Sequence, residues 1–132
     1  MQVTALAKGV RMSPRKVSLV ASLVRGRTVA DALVILEHTP KRAAKPVQKA
    51  IASAKANAVA NHKADEKSLI IEHLTVTAGA RIKRFRPAAQ GRALPYQKKT
   101  SHIKVVLTGA EKPKKTATEA KPAAKKAEKE EA

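Results

Sequence analysis

The stretch from residue 79 to residue 102 reads GARIKRFRPAAQGRALPYQKKTSH, and it separates two segments in which apolar and polar residues alternate. It contains seven Lys or Arg, no Asp or Glu, two Pro and two Gly. Alternation with a period of two indicates strands, so the flanking segments predict two antiparallel strands joined by a long arm. The alternating apolar residues are Ile70, Leu74, Val76, Ala78, Ala80 and Ile82 on one side, and Ile103, Val105 and Leu107 on the other. The arm, residues 79–102, carries too much charge to pack a core of its own.

Three helices are predicted before the arm. Ser13 followed by Pro14 is typical of a helix start, with Ser as N-cap and Pro in the first helical position. Thr28 and Asp31 resemble a capping box that opens a second helix, which Pro40 closes. In the first and third helices, apolar residues recur at helical spacing on one face. These stripes are Val17, Val20, Ala21 and Val24 in the first helix and Val47, Ala50, Ile51, Ala54 and Ala58 in the third, and the second helix runs through Leu33, Ile35 and Leu36.

The remaining pattern completes the predicted fold. The third helix should cover about residues 43–61, and residues 2–10 should form a short first strand. The expected fold class is α+β, with three helices packed on a small antiparallel sheet and a long protruding β-hairpin. Residues 1–110 are expected to form one domain that includes the arm. Residues 111–132 are rich in Lys, Ala and Glu without an apolar pattern, which predicts a disordered tail.

The excess positive charge belongs to the part of the chain that folds. Residues 1–110 hold 21 Lys or Arg against five Asp or Glu, a net of +16, whereas the remaining residues hold seven against five. This imbalance predicts a polyanionic partner, with nucleic acid first and an anionic membrane surface second. No apolar run approaches the roughly 18 residues that span a bilayer, which weakens the membrane alternative. Phe85 and Tyr96 are the only aromatic residues, which favours contact with backbone and shape over stacking of several bases.

No catalytic or metal site is expected. Cysteine is absent, which excludes disulfides, thiolate zinc sites and a Cys nucleophile, and which fits a reducing cytoplasm. Asp65 and Glu66 are more simply turn residues than an acid and base pair. The histidines are scattered and never stand at metal-ligand spacing. They are His38, His62, His73 and His102. The chain is therefore predicted to be non-enzymatic and to have no metal and no other cofactor.

The basic residues near the start of the chain are candidates for phosphate contact. All of them precede the first acid, Asp31, so no nearby carboxylate in the sequence offsets their charge. They are Lys8, Arg11, Arg15, Lys16, Arg25 and Arg27. Asn57 and Asn61 lie four residues apart on the polar side of the third helix, where Asn is a poor helix former. These side chains could bond to sugar or phosphate, cap the helix or simply be solvated.

The arm gives the strongest signal for nucleic-acid binding. Arg81 and Lys83 occupy one parity of the strand, and Arg84 and Arg86 occupy the other. Since side chains alternate between the two faces of a strand, neither face is free to pack on protein. An ordinary solvated hairpin would mix acids among its bases, and this one has none. The arm is therefore predicted to be the main surface for a polyanion.

Five motifs in this order resemble the bacterial form of the L-twenty-two family of large-subunit ribosomal proteins. They are SPRKVSLVASLVRGR, VADALVIL, SAKANAVAN, RPAAQGRA and TSHIKVVL, within about residues 5–107. The resemblance implies a structural α+β protein that binds large-subunit ribosomal RNA at several separate regions and assists subunit assembly. It places the globular part near the outer end of the polypeptide exit tunnel, with the hairpin tip lining the tunnel wall. It implies a cytoplasmic location, in the large subunit.

The resemblance also implies roles for particular residues. For RNA binding it implies Ser13, Arg15, Lys16, Arg25, Arg27, Asn57, Asn61, Arg81, Lys83, Arg84, Arg86, Lys98, Lys99 and His102. The basic residues Lys8, Arg11 and Arg92 complete the predicted RNA-binding set. The tip would face the tunnel with Pro87, Ala88, Ala89, Gln90, Gly91 and Arg92. This tip departs from the common pattern, because Ala88 and Gln90 stand where basic residues are frequent. The implied partners are the RNA, neighbouring large-subunit proteins and the nascent polypeptide, with no membrane and no homo-oligomer.

The runner-up hypothesis is a DNA-bending architectural protein. Such proteins also use helices and basic β-arms, and they insert an apolar wedge into the minor groove. Pro87 or Pro95 could supply the wedge. The family motifs, and an arm that is basic along both limbs, favour RNA.

Overall fold

The computed structural model describes residues 1–109, and these residues form an α+β fold as predicted. The predicted disordered tail, residues 111–132, lies outside the described residues. The elements in chain order are β1 (Gln2–Val10), α1 (Pro14–Val24), α2 (Val29–His38), α3 (Ala44–His62), β2 (Ile70–Pro87) and β3 (Ala93–Thr108). Two short 3-10 turns, Glu66–Ser68 and Ala89–Gly91, precede β2 and close the hairpin tip.

The sheet has three antiparallel strands in the order β1-β3-β2, so β3 is central. The first strand accompanies β3 only from the pair Gln2 and Thr108 to the pair Val10 and Ser101. The second strand continues beside β3 as far as the pair Pro87 and Ala93. Beyond Ser101, toward the hairpin tip, the sheet therefore consists of β2 and β3 alone. This two-stranded ribbon is the predicted arm.

The helix starts follow the predicted positions, although not every predicted bond forms. Ser13 stands at the N-cap of α1 with Pro14 next to it, but the Ser13 side chain makes no capping hydrogen bond. Thr28 does cap α2, because its Oγ1 accepts a hydrogen bond from the Asp31 backbone N–H at 3.3 Å. The Thr28 hydroxyl also donates to the Asp31 carboxylate at 2.7 Å. This second bond replaces the reciprocal bond of a full capping box, in which the acid reaches back to the N-cap backbone.

The helices cover one face of the sheet and enclose the core. Every residue of the predicted stripes of α1 and α3 is buried, including Val17 and Ile51 with no exposed surface. From the sheet, Ile103, Val105 and Leu107 of β3 are fully buried beneath the helices. The alanines of α3 let this helix lie close to β1, α2 and β3, which it contacts. The core therefore lies between α3 and the three-stranded part of the sheet.

The apolar parity predicted for the start of β2 is wrong. Ile71, outside the predicted stripe, is fully buried, whereas Ile70 is 47% exposed. The reason is a register shift between Ile71 and His73, where Glu72 is the extra residue. A bulge reverses which residues face the core, so Ile71 and Leu74 can both point inward although they are three residues apart.

A second irregularity marks the point where the arm leaves the domain. The register shifts again between Ala78 and Arg81. The Thr100 hydroxyl donates to the Ala80 carbonyl at 2.7 Å across this site. A β-carbon added to Gly79 would lie 2.5 Å from Thr100 Oγ1 and 3.1 Å from His102 Nε2, so these side chains occupy the space that any other residue would need. At the base of the arm, the side chains of β3 thus pack directly on the backbone of β2.

Candidate nucleic-acid interface

The two limbs of the arm expose their basic side chains to solvent along their whole length. Arg81, Lys83, Arg84 and Arg86 on β2 are all exposed, as are Lys98 and Lys99 on β3. Residues 73–109 contain no Asp or Glu, so no carboxylate of the hairpin offsets this charge. None of these cations forms a salt bridge with a carboxylate of residues 1–109. The arm is therefore a ribbon with uncompensated positive charge on both faces.

The cross-strand register makes this charge costly for the isolated protein. Arg81 lies directly opposite Lys99, so two cations share one cross-strand site. Like charges in that position destabilise a strand pair. The next pairs place Lys98 opposite Ile82 and Gln97 opposite Lys83, again without an acid. A bound anion would relieve this repulsion, which the protein does not relieve by itself.

Further along the arm, local contacts orient the guanidinium groups without neutralising them. The Arg86 guanidinium lies over the Tyr96 ring, 5.2 Å from its centroid. A cation above an aromatic ring is attracted by the ring's quadrupole and keeps its charge. Arg84 donates from Nη1 to the Lys83 carbonyl at 2.8 Å. Both side chains thus remain exposed donors.

The tip of the hairpin is a tight turn with little charge. Ala88 N–H donates to the Arg92 carbonyl at 2.8 Å, which closes the turn. Gln90 and Gly91 both have positive φ, 60° and 68°, and only the second is a glycine. The Arg92 guanidinium donates to Gln90 Oε1 at 2.8 Å, so the one basic residue of the tip lies against the turn. The residues of the predicted tunnel-lining set, Pro87 to Arg92, are therefore contiguous at the far end of the arm.

At its base, the arm meets the N-terminal end of α1. A groove of about 630 Å³ lies between the hairpin, the start of α1 and the connection from α2 to α3. It brings the predicted residues Arg11, Ser13 and Lys16 beside Lys98 and Lys99. A smaller cavity of about 120 Å³ places Arg15 near Arg81 and Lys99. Residues far apart in sequence thus form one basic surface that continues into the arm.

Sequence reasoning missed two basic residues of this surface. Lys41 and Arg42 follow Pro40 in the connection between α2 and α3, and both line the groove. Only the tertiary structure shows that they line the same groove as Lys98. The signal in the sequence was a KR pair directly after a helix-ending proline, which by itself is typical of any solvated turn.

Other predicted residues lie at the opposite end of the domain. Arg25 and Arg27 follow α1, where Gly26 N–H bonds to the Ile71 carbonyl and Ile71 N–H to that of Arg27. The Arg25 Nε also donates to the Leu74 carbonyl at 2.9 Å, so this side chain helps to hold α1 on β2. These residues and the arm are therefore separate patches.

The predicted asparagines do not join the arm surface either. Asn57 and Asn61 lie in the second half of α3, whose first residues are the ones near the groove. Asn61 is exposed, and Asn57 is half-buried. Nearby, Lys55 Nζ pairs with Glu66 Oε2 at 2.8 Å, just beyond the C-terminal end of the helix.

Two further predicted residues lie where β1 meets the arm. The Nδ1 atom of His102 accepts a hydrogen bond from the Gly9 backbone N–H at 2.9 Å. This bond crosses the register shift between Ala7 and Val10, so one ring nitrogen of His102 helps to hold β1 on β3. The other ring nitrogen, Nε2, takes no part in this bond. Lys8 is exposed within the same irregular segment.

The acids of the folded part lie away from the arm. Asp31 and Glu37 are on α2, Asp65 and Glu66 precede β2, and Glu72 is at the start of that strand. The hydrogen bond from the Thr108 hydroxyl lowers the pKa of Glu72, and the Gln2 amide, donating at 2.9 Å, lowers it further. The domain is thus electrically asymmetric, because none of the five acids of residues 1–109 lines the groove.

The described residues provide neither a metal site nor a membrane-spanning helix. Within residues 1–109, no three His, Asp or Glu side chains lie close enough to hold a metal ion. Among the helices of the same residues, none has the length and hydropathy needed to cross a bilayer. The histidines lie at the C-terminal ends of α2 and α3 and on two different strands.

Comparison with known proteins matches the sequence of this chain to a family of ribosomal proteins. The family model described as "Ribosomal protein L22p/L17e" matches residues 5–108. One relative is "Large ribosomal subunit protein uL22" of Oceanobacillus iheyensis, which is 52% identical over 108 residues. That alignment covers 82% of this chain and 96% of the relative. The matched span contains all three helices, the whole hairpin and the arm.

Proposed function

Because the chain belongs to the L-twenty-two family of large-subunit ribosomal proteins, we propose that its arm and its basic groove clamp separate segments of large-subunit ribosomal RNA. Membership makes it a structural, non-enzymatic constituent of the large ribosomal subunit. It also decides against the DNA-bending alternative.

The observation that carries the proposal is the uncompensated charge of the two limbs. Arg81 and Lys99 oppose each other with no acid nearby, an arrangement that costs stability unless an anion sits between them. RNA phosphates supply such anions at regular spacing along the backbone. The arm can therefore penetrate where RNA segments converge and neutralise phosphates that would otherwise repel one another.

The remaining basic patches extend the clamp to other segments of RNA. The groove residues Arg11, Lys16 and Lys98 lie at the base of the arm. Arg25 and Arg27, with Asn57 and Asn61, lie at the other end of the domain and would meet a different segment. Contacts at both ends let one small protein join distant RNA regions, which is how it would assist assembly of the subunit.

The hairpin tip fits a place on the wall of the polypeptide exit tunnel. The residues from Pro87 to Gly91 are small or uncharged, and the one tip guanidinium, that of Arg92, is turned to Gln90. A nascent chain could pass this surface without a strong charge interaction. The globular part would then lie toward the outer end of the tunnel, beside neighbouring ribosomal proteins.

Salt dependence of RNA binding tests the clamp directly. Each neutralised phosphate adds about 0.7 to 0.9 to the slope of log affinity against log salt. If about six phosphates are contacted, affinity should fall roughly a thousandfold between about 50 and 200 mM salt. Replacing Arg81, Lys83, Arg84 and Arg86 by Gln should lower the slope by about three units. The measurement is filter binding of the full chain to large-subunit ribosomal RNA over a range of salt.

A matched control separates the arm from total charge. The control variant has Gln in place of Lys45, Lys49, Lys63 and Lys67. It also loses four positive charges, but from exposed positions outside the arm. Its slope should stay close to that of the unmodified protein. Equal slopes for the two variants would refute the arm as the main RNA surface.

A further inference from the structure

The groove at the base of the arm has a feature that phosphate binding does not require, which is an apolar floor. Leu19 of α1 and Ile82 of β2 are 57% and 40% exposed, and both line this groove. Met12, packed partly against the core, completes the floor with Ala43. Apolar side chains left open side by side in a concave surface mark a binding site more often than scattered ones do.

Every charged residue in the rim of the same groove is a cation. The rim carries Arg11, Lys16, Lys41, Arg42, Lys98 and Lys99, and no carboxylate of residues 1–109 lines it. These six residues come from the β1–α1 connection, α1, the α2–α3 connection and β3, so they surround the floor instead of following one strand. An occupant should therefore be apolar and flat at its centre and anionic at its edges.

We propose that this groove holds one unstacked nucleotide of a single-stranded RNA segment, with its base on the floor and the flanking phosphates on the rim. This assignment rests on the proposed RNA clamp and gives it a ligand. A base that leaves the stack exposes a flat face, and single-stranded loops and bulges provide such bases. A volume of about 630 Å³ lies in the usual range for a site that holds a group of this size.

A duplex does not satisfy both parts of the groove. The bases of a duplex are stacked in its interior. Its phosphates could therefore contact the cations of the rim, but no base would cover the apolar floor. A peptide from a neighbouring protein would need an apolar residue with acids on both sides to match the rim. The charge of the groove favours the polyanion, because every charge on its rim is positive.

Exposed leucines on α1 provide a matched pair for the test. Leu19 lines the groove, and Leu23, one turn later and 46% exposed, does not. The change Leu19→Gln together with Ile82→Gln removes the apolar floor and leaves every charge in place. Leu23→Gln is the control, and since all three side chains are exposed, the variants should fold.

The probes are a short single-stranded RNA that carries one fluorescent adenine analogue, bright when unstacked, and a duplex of the same sequence. The full chain should raise the emission of the single strand. Loss of the floor should abolish that rise and weaken single-strand binding by about fivefold, with duplex binding unchanged. The Leu23→Gln variant should behave as the unmodified protein does in both assays.

Two outcomes would overturn the nucleotide site and leave the RNA clamp standing. One is equal single-strand affinity and emission for the floor variant and the control, while the salt slope on ribosomal RNA stays steep. The other comes from a photo-crosslinking residue placed at Leu19 in assembled subunits, if it captures a neighbouring protein instead of RNA. A flat salt slope for the unmodified chain would instead refute the clamp itself.

Discussion

The same two strands, β2 and β3, form both part of the core and the arm, and the two parts differ chiefly in what their side chains contact. In the domain, alternate residues such as Val105 and Leu107 are fully buried under helices. Between residues 79 and 100 no side chain is buried at all. Backbone pairing runs through both parts, so it sets the shape of the arm, while burial decides which part stabilises the fold. The domain is stabilised by its core, and the side chains of the arm stay exposed because it has none.

The largest effect that separates the two parts should come from one substitution in the core. Ile51→Ala removes a fully buried side chain from α3 and leaves a cavity between the helix and the sheet. Such changes cost about 2 to 5 kcal/mol of the free energy of unfolding. Chemical denaturation monitored by circular dichroism measures this cost.

The matched control makes the same chemical change in the arm. Ile82→Ala shortens an isoleucine that is 40% exposed and lies beyond the helices. Its effect on the free energy of unfolding should be below about 1 kcal/mol, because little buried surface is lost. Comparable losses of unfolding free energy for Ile51→Ala and Ile82→Ala would contradict this account, because the arm would then stabilise the fold as the core does.

A smaller effect is expected from Glu72, the acid at the start of β2. The pKa of Glu72 is lowered chiefly by the Thr108 hydroxyl, so the charged form is favoured in the folded state. A lowered pKa stabilises the fold above the ordinary value of 4.5, and this stabilisation is lost as the pH falls below it. The thermal midpoint of Glu72→Gln should therefore fall less on acidification than that of the unmodified protein. The effect is small because the carboxylate is exposed.

Glu37→Gln is the control for this titration. It removes an exposed acid from α2 without touching the bonds that tie the ends of β1, β2 and β3 together. If both variants flatten the pH dependence equally, the hydrogen bonds of Glu72 are not the cause. RNA affinity at neutral pH should be the same for the two, since neither residue belongs to the arm or lines the groove.

Much of the fold could be predicted from the sequence because its periods are clear. The stripes of α1 and α3 and the alternation of β3 each match one buried face. The bulge at Glu72 could not be predicted, because an extra residue in a strand leaves no compositional mark when Ile70 and Ile71 are both apolar. The missing side-chain bond at Ser13 shows the same limit, since a cap residue in the right place still needs the right rotamer.

Of the candidate site, the arm could be predicted from the sequence and the groove could not. The arm was predictable because its charge is local in sequence, with four basic residues from Arg81 to Arg86. The groove was not, because Lys41 and Leu19 meet Lys98 only through the packing of three elements. Residues with a bland local pattern can thus belong to a site that the tertiary structure alone defines.

The most direct test of the central claim is the thermal midpoint of a chain without the arm. Residues 83–97 are replaced by Asn-Gly, a two-residue turn that suits strands paired at Ile82 and Lys98. The account predicts a midpoint within about 4 °C of the unmodified protein, since no buried side chain is removed. A drop of about 10 °C or more would show that the arm stabilises its own domain, and would contradict the assignment of the arm to RNA alone.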